Sequence, residues 1–342
     1  MSRTSSLLFL LPLFLLCSCG APDGQKIVVY SPHGKELLAD FAQRFEAANP
    51  GVKVQWLDMG AQDALDRVRS ERANPQADLW WGAPAPSFMQ AAEENLLQPY
   101  RPSWAGATDS SFHDPQARWY ATWITPEVIM FNTQTLTRET APQDWDEVLT
   151  EKWRDQIVLR EPLASGSMRA IFFAMISRQY QASGTSAAGF EWLKQLDRNT
   201  KSYAANPTLM YLALVRGEAK LTLWNHPDVL LQKHQYNYPF DYLVPQSGVP
   251  LVPEGIALVA GAKNLALAQK FYEYVTTPES YQYAAQKYWR IPARRDLDFS
   301  QFAPETDPRN FPALRINWKM YADSSETWMK YWDANIRNRG QK

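Results

Sequence analysis

Residues 26–56 read KIVVYSPHGKELLADFAQRFEAANPGVKVQW, and this stretch predicts a strand, a helix and a second strand. Residues 27–30 are β-branched or aromatic, which favours a buried strand. Ser31 and Pro32 suit the N-cap and first position of a helix, and apolar residues then recur at helical spacing over 37–48. An Asn-Pro-Gly sequence ends this helix before an alternating strand. The unit therefore places a helix N-terminus, which can hold an anion, at the carboxyl end of a strand.

The same order of strand, turn and helix recurs along the chain and predicts an α/β fold. Residues 119–132 form a long extended run with a central proline, which favours a crossing between two domains over a helix. Turns that open a helix or follow a strand lie at 31–35, 83–87, 165–167, 206–208 and 225–228. Because ligands of α/β sheets lie beyond the carboxyl ends of the strands, these turns are the predicted lining of a binding cleft.

The composition has no strong charge bias. The chain has 342 residues, of which 45% are hydrophobic, and its 35 basic and 36 acidic residues leave a formal charge of -1. That balance argues against a nucleic-acid partner and against a polybasic membrane segment. Both cysteines, Cys17 and Cys19, lie near the N-terminus, so the rest of the chain has no disulfide, no thiolate nucleophile and no cysteine metal site.

The N-terminus has the features of a targeting segment. Residues 7–16 are an apolar run too short to remain as a membrane span, so residues 1–18 are the predicted signal peptide. The Leu-Cys-Ser-Cys-Gly sequence at its end looks like a bacterial lipobox, which implies a lipidated Cys19 and a linker over 19–25. The alternative is an ordinary signal peptide cleaved near Ala21. We expect an exported, lipid-anchored protein on the periplasmic or cell-surface side of the membrane.

Four short motifs, taken together, resemble a known family. They are NPGVKV at 49–54, GEAKL at 217–221, VPEG at 252–255 and YVTTPES at 274–280. Their order and spacing over residues 26–293 are similar to those of family 1 extracellular solute-binding proteins, the receptors of bacterial ABC importers. The resemblance implies an α/β, two-lobed periplasmic-binding-protein-like II fold with two hinge crossings. It also implies a small ligand trapped between the lobes, an inner-membrane ABC permease as partner, and a monomer.

The resemblance and the crossing at 119–132 together predict the domain organisation. Lobe 1 is expected over residues 26–123, and lobe 2 over 124–250. The chain then returns to lobe 1 over 251–293, and residues 294–342 are expected to form C-terminal helices that pack on lobe 2.

The best candidate for an anion site is Ser165-Gly166-Ser167, where two hydroxyls and a glycine stand at a helix start. An ordinary helix cap is the alternative for these serines. Arg169 or Arg290 would add positive charge, although surface arginines are commoner. The full set of predicted ligand-binding residues is Ser31, His33, Gly34, Lys35, Ala83, Trp123, Ser165, Gly166, Ser167, Asn206, Asn225, His226, Asp228 and Glu254.

Within the family, the chain is similar to the cluster that contains binders of ferric iron, thiamine, 2-aminoethylphosphonate and hexose phosphate. A phosphate- or phosphonate-bearing ligand is favoured, since His226, Asp228 and Glu254 suit the hydroxyls or amine of its other end. A thiamine or polyamine receptor is the alternative, and Trp123 suits a stacked ring. Ferric iron is disfavoured because ferric binders of this group place adjacent tyrosines where this chain has Trp-Asn-His at 224–226.

An enzyme is the competing class. The chain contains no His-Glu-x-x-His, no Gly-x-Ser-x-Gly and no phosphate-binding P-loop, and its four histidines are not at zinc-ligand spacing. Carboxylates of a glycoside or phosphoester hydrolase would not stand out in such a sequence. The expectation is a binding protein that is not an enzyme and has neither a cofactor nor a metal.

Overall fold

The computed structural model describes residues 25–339, which form eleven strands and ten α-helices. The strands are β1 (Gln25–Ser31), β2 (Val52–Asp58), β3 (Leu79–Pro84), β4 (Leu97–Gln98), β5 (Tyr120–Asn132), β6 (Ile157–Arg160), β7 (Thr200–Ala204), β8 (Leu221–Asn225), β9 (Phe240–Leu243), β10 (Leu251–Val259) and β11 (Ile291–Pro292). The helices are α1 (Lys35–Ala48), α2 (Ala61–Ser70), α3 (Ala85–Glu93), α4 (Gly166–Ser183), α5 (Ala187–Asn199), α6 (Pro207–Val215), α7 (His226–Gln235), α8 (Leu265–Val275), α9 (Pro278–Tyr288) and α10 (Trp318–Asn335).

The predicted signal peptide over 1–18 and the lipobox cysteine Cys19 lie outside the described residues. Among residues 25–339, no helix is both long enough and apolar enough to cross a bilayer.

The opening unit is a parallel strand pair, β1 with β2, connected by α1, as residues 26–56 predict. The predicted start of the helix is wrong by three residues. Strand β1 continues through Ser31, and α1 begins at Lys35 after Gly34, whose φ of 86° is a conformation that glycine adopts most readily. The Ser31 hydroxyl accepts the backbone N–H of His33 at 3.2 Å and caps no helix.

Strand β5 belongs to both halves of the sheet. Residues 120–126 pair antiparallel with β10, and residues 127–132 pair with β8 and β9. The strand order is β2-β1-β3-β10-β5-β8-β6-β7, so β5 lies between two groups of strands. The chain crosses from one group to the other along β5 and returns between β9 and β10. The extended run predicted at 119–132 is confirmed as a strand.

Each half of the sheet has its own core. One core contains Trp81, Trp123 and the apolar faces of α1 and α8. Another contains Trp145 and Trp153 together with the buried side of α4. We call the halves lobe 1 (β1–β4, β10, α1–α3, α8 and α9) and lobe 2 (β6–β9 and α4–α7).

Helix α10 contacts both lobes. On lobe 2, the Tyr321 ring lies 4.6 Å from that of Phe173 in α4, measured between centroids. On lobe 1, Gln90 of α3 donates to the backbone oxygen of Ala322 at 2.7 Å. The C-terminal helix is therefore packed across α3 and α4, beyond its expected contact with lobe 2.

Gly255 lies at a register shift in β10, directly after Glu254. A Cβ at this position would lie 2.6 Å from the Phe88 ring. Phe88 is fully buried and stacks on Trp80 with ring centroids 4.2 Å apart, which leaves it no space to move aside. Glycine at 255 is thus required by the close packing of α3 on this irregular part of β10.

We expect Gly255→Ala to lower the free energy of unfolding by about 1–3 kcal/mol, because the added methyl overpacks a filled core. Urea unfolding followed by tryptophan fluorescence measures the change. Gly106→Ala is the matched control, since an added Cβ there would have no neighbour within 4 Å. Equal stabilities of the two variants would contradict the packing argument.

His226 is the first residue of α7 and is fully buried. Its ring lies between those of Tyr242 and Phe311, with centroid separations of 4.7 and 4.8 Å. Neither ring nitrogen has a hydrogen-bond partner among the described residues. Burial lowers the pKa of His226 from 6.5 to about 3, because desolvation disfavours the charged imidazolium.

This pKa predicts a loss of stability in acid. Below about pH 6.5 the unfolded chain binds a proton at His226 that the folded chain does not take up until about pH 3. We expect that difference to reduce stability by at most about 1.4 kcal/mol per pH unit. Urea unfolding at pH 7 and pH 5 should show a larger loss for the wild type than for His226→Leu.

The control is His234→Leu, which removes an exposed histidine from the same helix. It should retain the acid sensitivity of the wild type. If His226→Leu loses as much stability as the wild type between the two pH values, His226 does not titrate as described.

Candidate functional site

A cavity of about 550 Å³ lies between the lobes, at the carboxyl ends of β1 and β3 in lobe 1 and of β6 and β8 in lobe 2. This volume suits a small organic molecule better than a single ion. Six helices, α1, α2, α3, α4, α6 and α7, begin at its wall. Each helix start presents N–H groups and a partial positive charge. The cavity is therefore suited to a ligand with a negatively charged group.

Eleven of the fourteen residues predicted to bind ligand line this cavity. They are His33, Gly34, Lys35, Ala83, Ser165, Gly166, Ser167, Asn206, Asn225, Asp228 and Glu254. Lobe 1 supplies the first four and Glu254, and lobe 2 supplies the other six. The structure thus brings together turns that are separated by more than two hundred positions of sequence.

Three predicted residues lie outside the cavity lining. Ser31 is fully buried beneath the turn that carries His33. Trp123 is fully buried in the lobe 1 core, where its ring meets that of Tyr281 at 4.8 Å between centroids. His226 faces the lobe 2 core. The side chains of these three residues, which suggested ligand contacts in the sequence, contact other protein groups inside the lobes.

A cluster of buried charges forms one end of the cavity. Arg290 lies 3.7 Å from Glu254 of its own lobe and 3.5 Å from Asp228 of the other lobe. His33 lies 3.7 Å from the same Glu254 carboxylate, and Glu127 of β5 also lines the cavity. Four buried atoms here have no hydrogen-bond partner among residues 25–339, namely Glu127 Oε2, Glu254 Oε2, His33 Nε2 and Arg290 Nε. Since buried polar atoms are ordinarily bonded, the cluster is incompletely satisfied, and because these four atoms are almost fully covered, a ligand reaches them only if side chains shift.

Burial dominates the titration of this acidic cluster. It raises the pKa of Glu127 well above its usual range, and the nearby Glu254 carboxylate adds to the shift. It also raises the pKa of Glu254, although Arg290 opposes that change. Burial, followed by the charge of Arg290, lowers the pKa of His33. Arg290 lies within 4.0 Å of Asp228 and Glu254 but not of Glu127. The raised pKa values of Glu127 and Glu254 favour protonated carboxyl groups, which can donate as well as accept a hydrogen bond.

The other end of the cavity contains a buried cation. Arg160 ends β6, which is separated from β5 by β8, and is 8% exposed. Its Nη1 donates weakly to the backbone oxygens of Glu161 and Ala204 at 3.4 and 3.3 Å. Within residues 25–339 it makes no ion pair with a carboxylate at 4.0 Å or less. Burial lowers the pKa of Arg160, but a guanidinium keeps its charge at neutral pH.

The helix starts beside Arg160 are capped by side chains. Ser165 accepts the N–H of Met168 at 3.3 Å, so the alternative of a helix cap is confirmed for this serine. Asn206 accepts the N–H of Leu209 at 2.9 Å at the start of α6. Asn225 accepts the N–H of Asp228 at the start of α7. The side-chain oxygens of these caps bind their own helices, which leaves mainly N–H groups and hydroxyl hydrogens for a ligand.

The lobes meet closely at the cavity wall. A Cβ at Gly166 of lobe 2 would lie 2.8 Å from Pro84 of lobe 1. Arg169 of lobe 2 donates to the side-chain oxygen of Gln62 in lobe 1 at 2.8 Å. Gly166 is expected to let an anion approach the backbone closely. On one side of this residue, however, Pro84 of the opposite lobe already fills the space.

Aromatic side chains also line the cavity. Tyr236, at the end of α7, donates its hydroxyl to the Glu36 carboxylate of α1 in the other lobe. Trp224 donates to the hydroxyl of Tyr211 at 2.8 Å, and Tyr238 stands beside them. A ring of the ligand therefore has aromatic surfaces to contact in lobe 2.

Five further residues of the cavity lining are not predicted from the sequence, namely Arg160, Glu127, Tyr211, Tyr236 and Tyr238. A usable signal existed for the two charged residues. Arg160 follows three buried residues at the end of a strand, and Glu127 interrupts the apolar run of β5. A charge at a position where the pattern predicts burial needs a partner, which marks it as a candidate site residue. The tyrosines carry no comparable signal.

The chain matches the profile of the bacterial extracellular solute-binding protein family over residues 40–311. A protein of Sinorhizobium fredii named "Probable ABC transporter periplasmic-binding protein y4fP" is 25% identical over 314 residues, which cover 91% of this chain and 86% of the relative. A Salmonella typhimurium periplasmic protein assigned by name to 2-aminoethylphosphonate binding is 24% identical over 306 residues, covering 85% of this chain and 86% of the relative.

Solved structures have the same fold. AfuA from Actinobacillus pleuropneumoniae, solved with fructose-6-phosphate bound, gives a TM-score of 0.81 at 23% identity and covers 91% of this chain and 98% of AfuA. The ferric binding protein from Campylobacter jejuni gives 0.75 at 18% identity, with 90% and 98% covered. The predicted α/β, two-lobed fold of periplasmic binding proteins is confirmed. These relatives are binding proteins and not enzymes, and the chain itself belongs to the bacterial extracellular solute-binding protein family.

Proposed function

We propose that this chain is the solute receptor of an ABC importer and captures a small organic phosphate or phosphonate in the interlobe cavity. The observation that carries the proposal is the uneven charge along the cavity. Arg160 lines it on the β6 side near the start of α6, and Glu127, Asp228 and Glu254 line it on the β5 side, with the start of α4 between them, where Ser167 lies beside Asn225 and Glu127. A ligand that fits both ends has an anionic group at one terminus and hydroxyl or amino groups at the other.

The anionic end is bound by Arg160 and by backbone N–H groups. Those of Gly166 and Ser167 are the first two of α4 and have no partner within the helix. A phosphate group accepts several such bonds at once, and the helix dipole favours its charge. No carboxylate of the described residues lies within 4.0 Å of Arg160, although Glu161 and Asp63 are near enough to affect its pKa, so its guanidinium can pair with the phosphate in two-bond geometry.

The polar end is bound by the acidic cluster. The unpaired Glu127 and Glu254 oxygens accept hydrogen bonds, and Arg290 holds Glu254 and Asp228 of opposite lobes near each other. Sugar hydroxyls or a primary amine satisfy these acceptors without adding negative charge. Because the ligand contacts both lobes, its binding stabilises the closed arrangement.

The ligands named for two relatives support this class. One curated relative is named for 2-aminoethylphosphonate, and AfuA is solved with fructose-6-phosphate. Both compounds combine a phosphonate or phosphate with an amine or hydroxyls. At the position of the tyrosine pair expected in ferric binders, the cavity here has Trp224 and Asn225.

The proposed setting follows from the N-terminal sequence. A signal peptide over 1–18 would export the chain, and a lipid on Cys19 would anchor it on the periplasmic or cell-surface side of a membrane, from which it would deliver solute to an inner-membrane permease. We propose that the receptor acts as a monomer and performs no catalysis. Both N-terminal features lie outside the described residues and stay predictions.

An amine receptor is the second candidate, because three carboxyl groups outnumber the single guanidinium at the acidic end. A polyamine or thiamine would bind there and against the aromatic residues of lobe 2. A hydrolase, the candidate of a different class, would use Glu127 and Glu254 as an acid–base pair. Recovery of the bound compound unchanged after prolonged incubation separates a receptor from a hydrolase.

A thermal-shift panel tests the ligand class. It contains inorganic phosphate, fructose 6-phosphate, fructose, 2-aminoethylphosphonate, thiamine, thiamine phosphate, putrescine and ferric citrate. A compound that binds only the folded chain raises the melting temperature by mass action. We expect shifts with phosphorylated or phosphonate compounds that also carry hydroxyl or amino groups. A shift with putrescine or thiamine alone would favour the amine receptor and contradict the anion site.

We expect Arg160→Gln to weaken binding of the best phosphorylated compound by about 10- to 100-fold, because one or two charge-assisted hydrogen bonds are lost. Isothermal titration calorimetry measures the affinity. Arg216→Gln, which removes an exposed arginine of the same lobe outside the cavity, is the control and should bind normally. Unchanged affinity in Arg160→Gln would exclude this residue from the anion site.

We expect Gly166→Ala to hinder closure of the lobes. The added Cβ would lie 2.8 Å from Pro84 and 3.1 Å from Ala61, both in lobe 1. Each lobe should fold normally, but ligand affinity should fall by about tenfold or more, because the clash raises the free energy of the closed state to which the ligand binds. Calorimetry gives the affinity, and small-angle X-ray scattering gives the compaction on ligand addition.

Gly106→Ala, in open space on lobe 1, is the control for a glycine-to-alanine change as such. Should Gly166→Ala bind and compact like that control, the contact with Pro84 would have no part in closure.

A further inference from the structure

An acidic residue, Glu161, directly follows Arg160 at the carboxyl end of β6. Arg160 Nη1 donates to the backbone oxygen of Glu161 at 3.4 Å, so the guanidinium lies against the backbone of this residue. Burial lowers the pKa of Arg160, and the negative charges of Glu161 and Asp63 oppose that change. Glu161 therefore acts electrostatically on Arg160. An uncompensated charge at Glu161 would weaken the attraction of Arg160 for an anionic ligand.

Arg337 pairs with the Glu161 carboxylate from the far end of the chain. It lies two residues beyond the end of α10, and its Nη2 donates to Glu161 Oε2. The second carboxylate oxygen, Oε1, accepts the backbone N–H of Leu163 at 3.3 Å. Both oxygens are thus bound by groups other than Arg160, and Arg337 supplies a positive charge that balances Glu161.

Contacts on several sides hold Arg337 in place. Its guanidinium carbon lies 5.9 Å from the ring centroids of Tyr203 and Trp332. Its Nη1 donates to Asp333, four residues earlier, at 3.0 Å. The side chain of Arg337 is 32% exposed, and that of Glu161 is 16% exposed. Fully exposed ion pairs contribute little, because solvent screens them and both side chains must be ordered. The pair of Arg337 with Glu161 is better shielded and its arginine is already positioned.

We propose that Arg337 is a positioning residue of the anion site, which holds the Glu161 carboxylate away from Arg160 and balances its charge, so that Arg160 can bind the anionic group of the ligand. The inference rests on the proposed function, since it assigns a further residue to the same site. Arg337 is 176 positions from Glu161 in the sequence and does not line the cavity. Its effect on binding passes through Glu161.

This role depends on charge. Loss of Arg337 leaves an uncompensated carboxylate beside Arg160. That carboxylate either pairs with the guanidinium or repels the phosphate of the ligand, and both outcomes lower the affinity for anions. A purely structural role of Arg337 would not depend on whether residue 161 carries a charge, which makes the two roles separable by experiment.

Isothermal titration calorimetry of the full chain tests the proposal, with fructose 6-phosphate, thiamine phosphate, 2-aminoethylphosphonate and inorganic phosphate as titrants. We expect Arg337→Gln to bind these compounds about three- to tenfold more weakly than the wild type at low ionic strength. The deficit should shrink in high salt, which screens the charge of Glu161. Arg337→Lys, which keeps the positive charge, should lose less affinity.

A second substitution separates the electrostatic role from a structural one. Glu161→Gln removes the carboxylate that Arg337 balances, so the double variant of Arg337→Gln with Glu161→Gln should bind more tightly than Arg337→Gln alone. Glu161→Gln by itself should bind at least as tightly as the wild type, and weaker binding would contradict the proposal. Arg154→Gln is the matched control, since it breaks an arginine–glutamate pair of lobe 2 outside the cavity and should bind normally.

The outcomes distinguish this inference from the proposed function. A wild-type chain that binds none of the four compounds overturns both, and so does a chain whose affinity survives Arg160→Gln. If Arg160→Gln weakens binding but Arg337→Gln does not, the inference alone is overturned. The same holds if the double variant binds as weakly as Arg337→Gln, because the loss would then come from the packing of the C-terminal residues and not from the charge of Glu161.

Discussion

The hydrogen bonding of one strand to two groups of strands constrains the whole molecule. The first half of strand β5 is hydrogen-bonded to β10, and its second half is hydrogen-bonded to β8 and β9. Removal of either lobe would therefore leave a row of unpaired backbone groups on β5. Glu127 lies where the strand passes from one partner set to the other. The point where β5 changes its strand partners and a residue that lines the interlobe cavity therefore coincide in the chain.

The cavity balances two electrostatic effects that would each be costly alone. Buried carboxylates without partners destabilise a fold, and so does a buried guanidinium. Here the starts of six helices face the cavity, and their dipoles offset part of the negative charge of the acidic cluster. Arg160 lies near helix N-termini, whose partial positive charge cannot offset that of its guanidinium. The charges of Arg160 and of the acidic cluster are thus only partly compensated by the protein. A ligand with an anionic group and a hydrogen-bonding polar group can compensate both.

The fold was largely predictable because its signals are local. Apolar periodicity gave β1, α1 and β2, and Asn206 before Pro207 marked the start of α6 correctly. The start of α1 was misplaced because Gly34, with its positive φ, redirected the turn that Ser31 seemed to cap. Arg160 and Glu127 were missed because their importance depends on strands that are neighbours in the sheet and distant in sequence. The sequence pattern predicts His226 as a polar residue of the cleft, whereas the first position of α7 points into the core.

The contacts of α10 have a consequence for how such a receptor evolves. This helix rests on α3 and α4, each of which begins at the cavity, but α10 itself contributes no residue to the cavity lining. The apparent affinity of a hinged receptor depends on the fraction of molecules that are closed, as well as on contacts to the solute. Substitutions on α10 can change that fraction while every recognition residue is conserved. Substitutions on α10 can thus change the apparent affinity of such a receptor, to suit scarcer or more abundant solute, without changing which solute it binds.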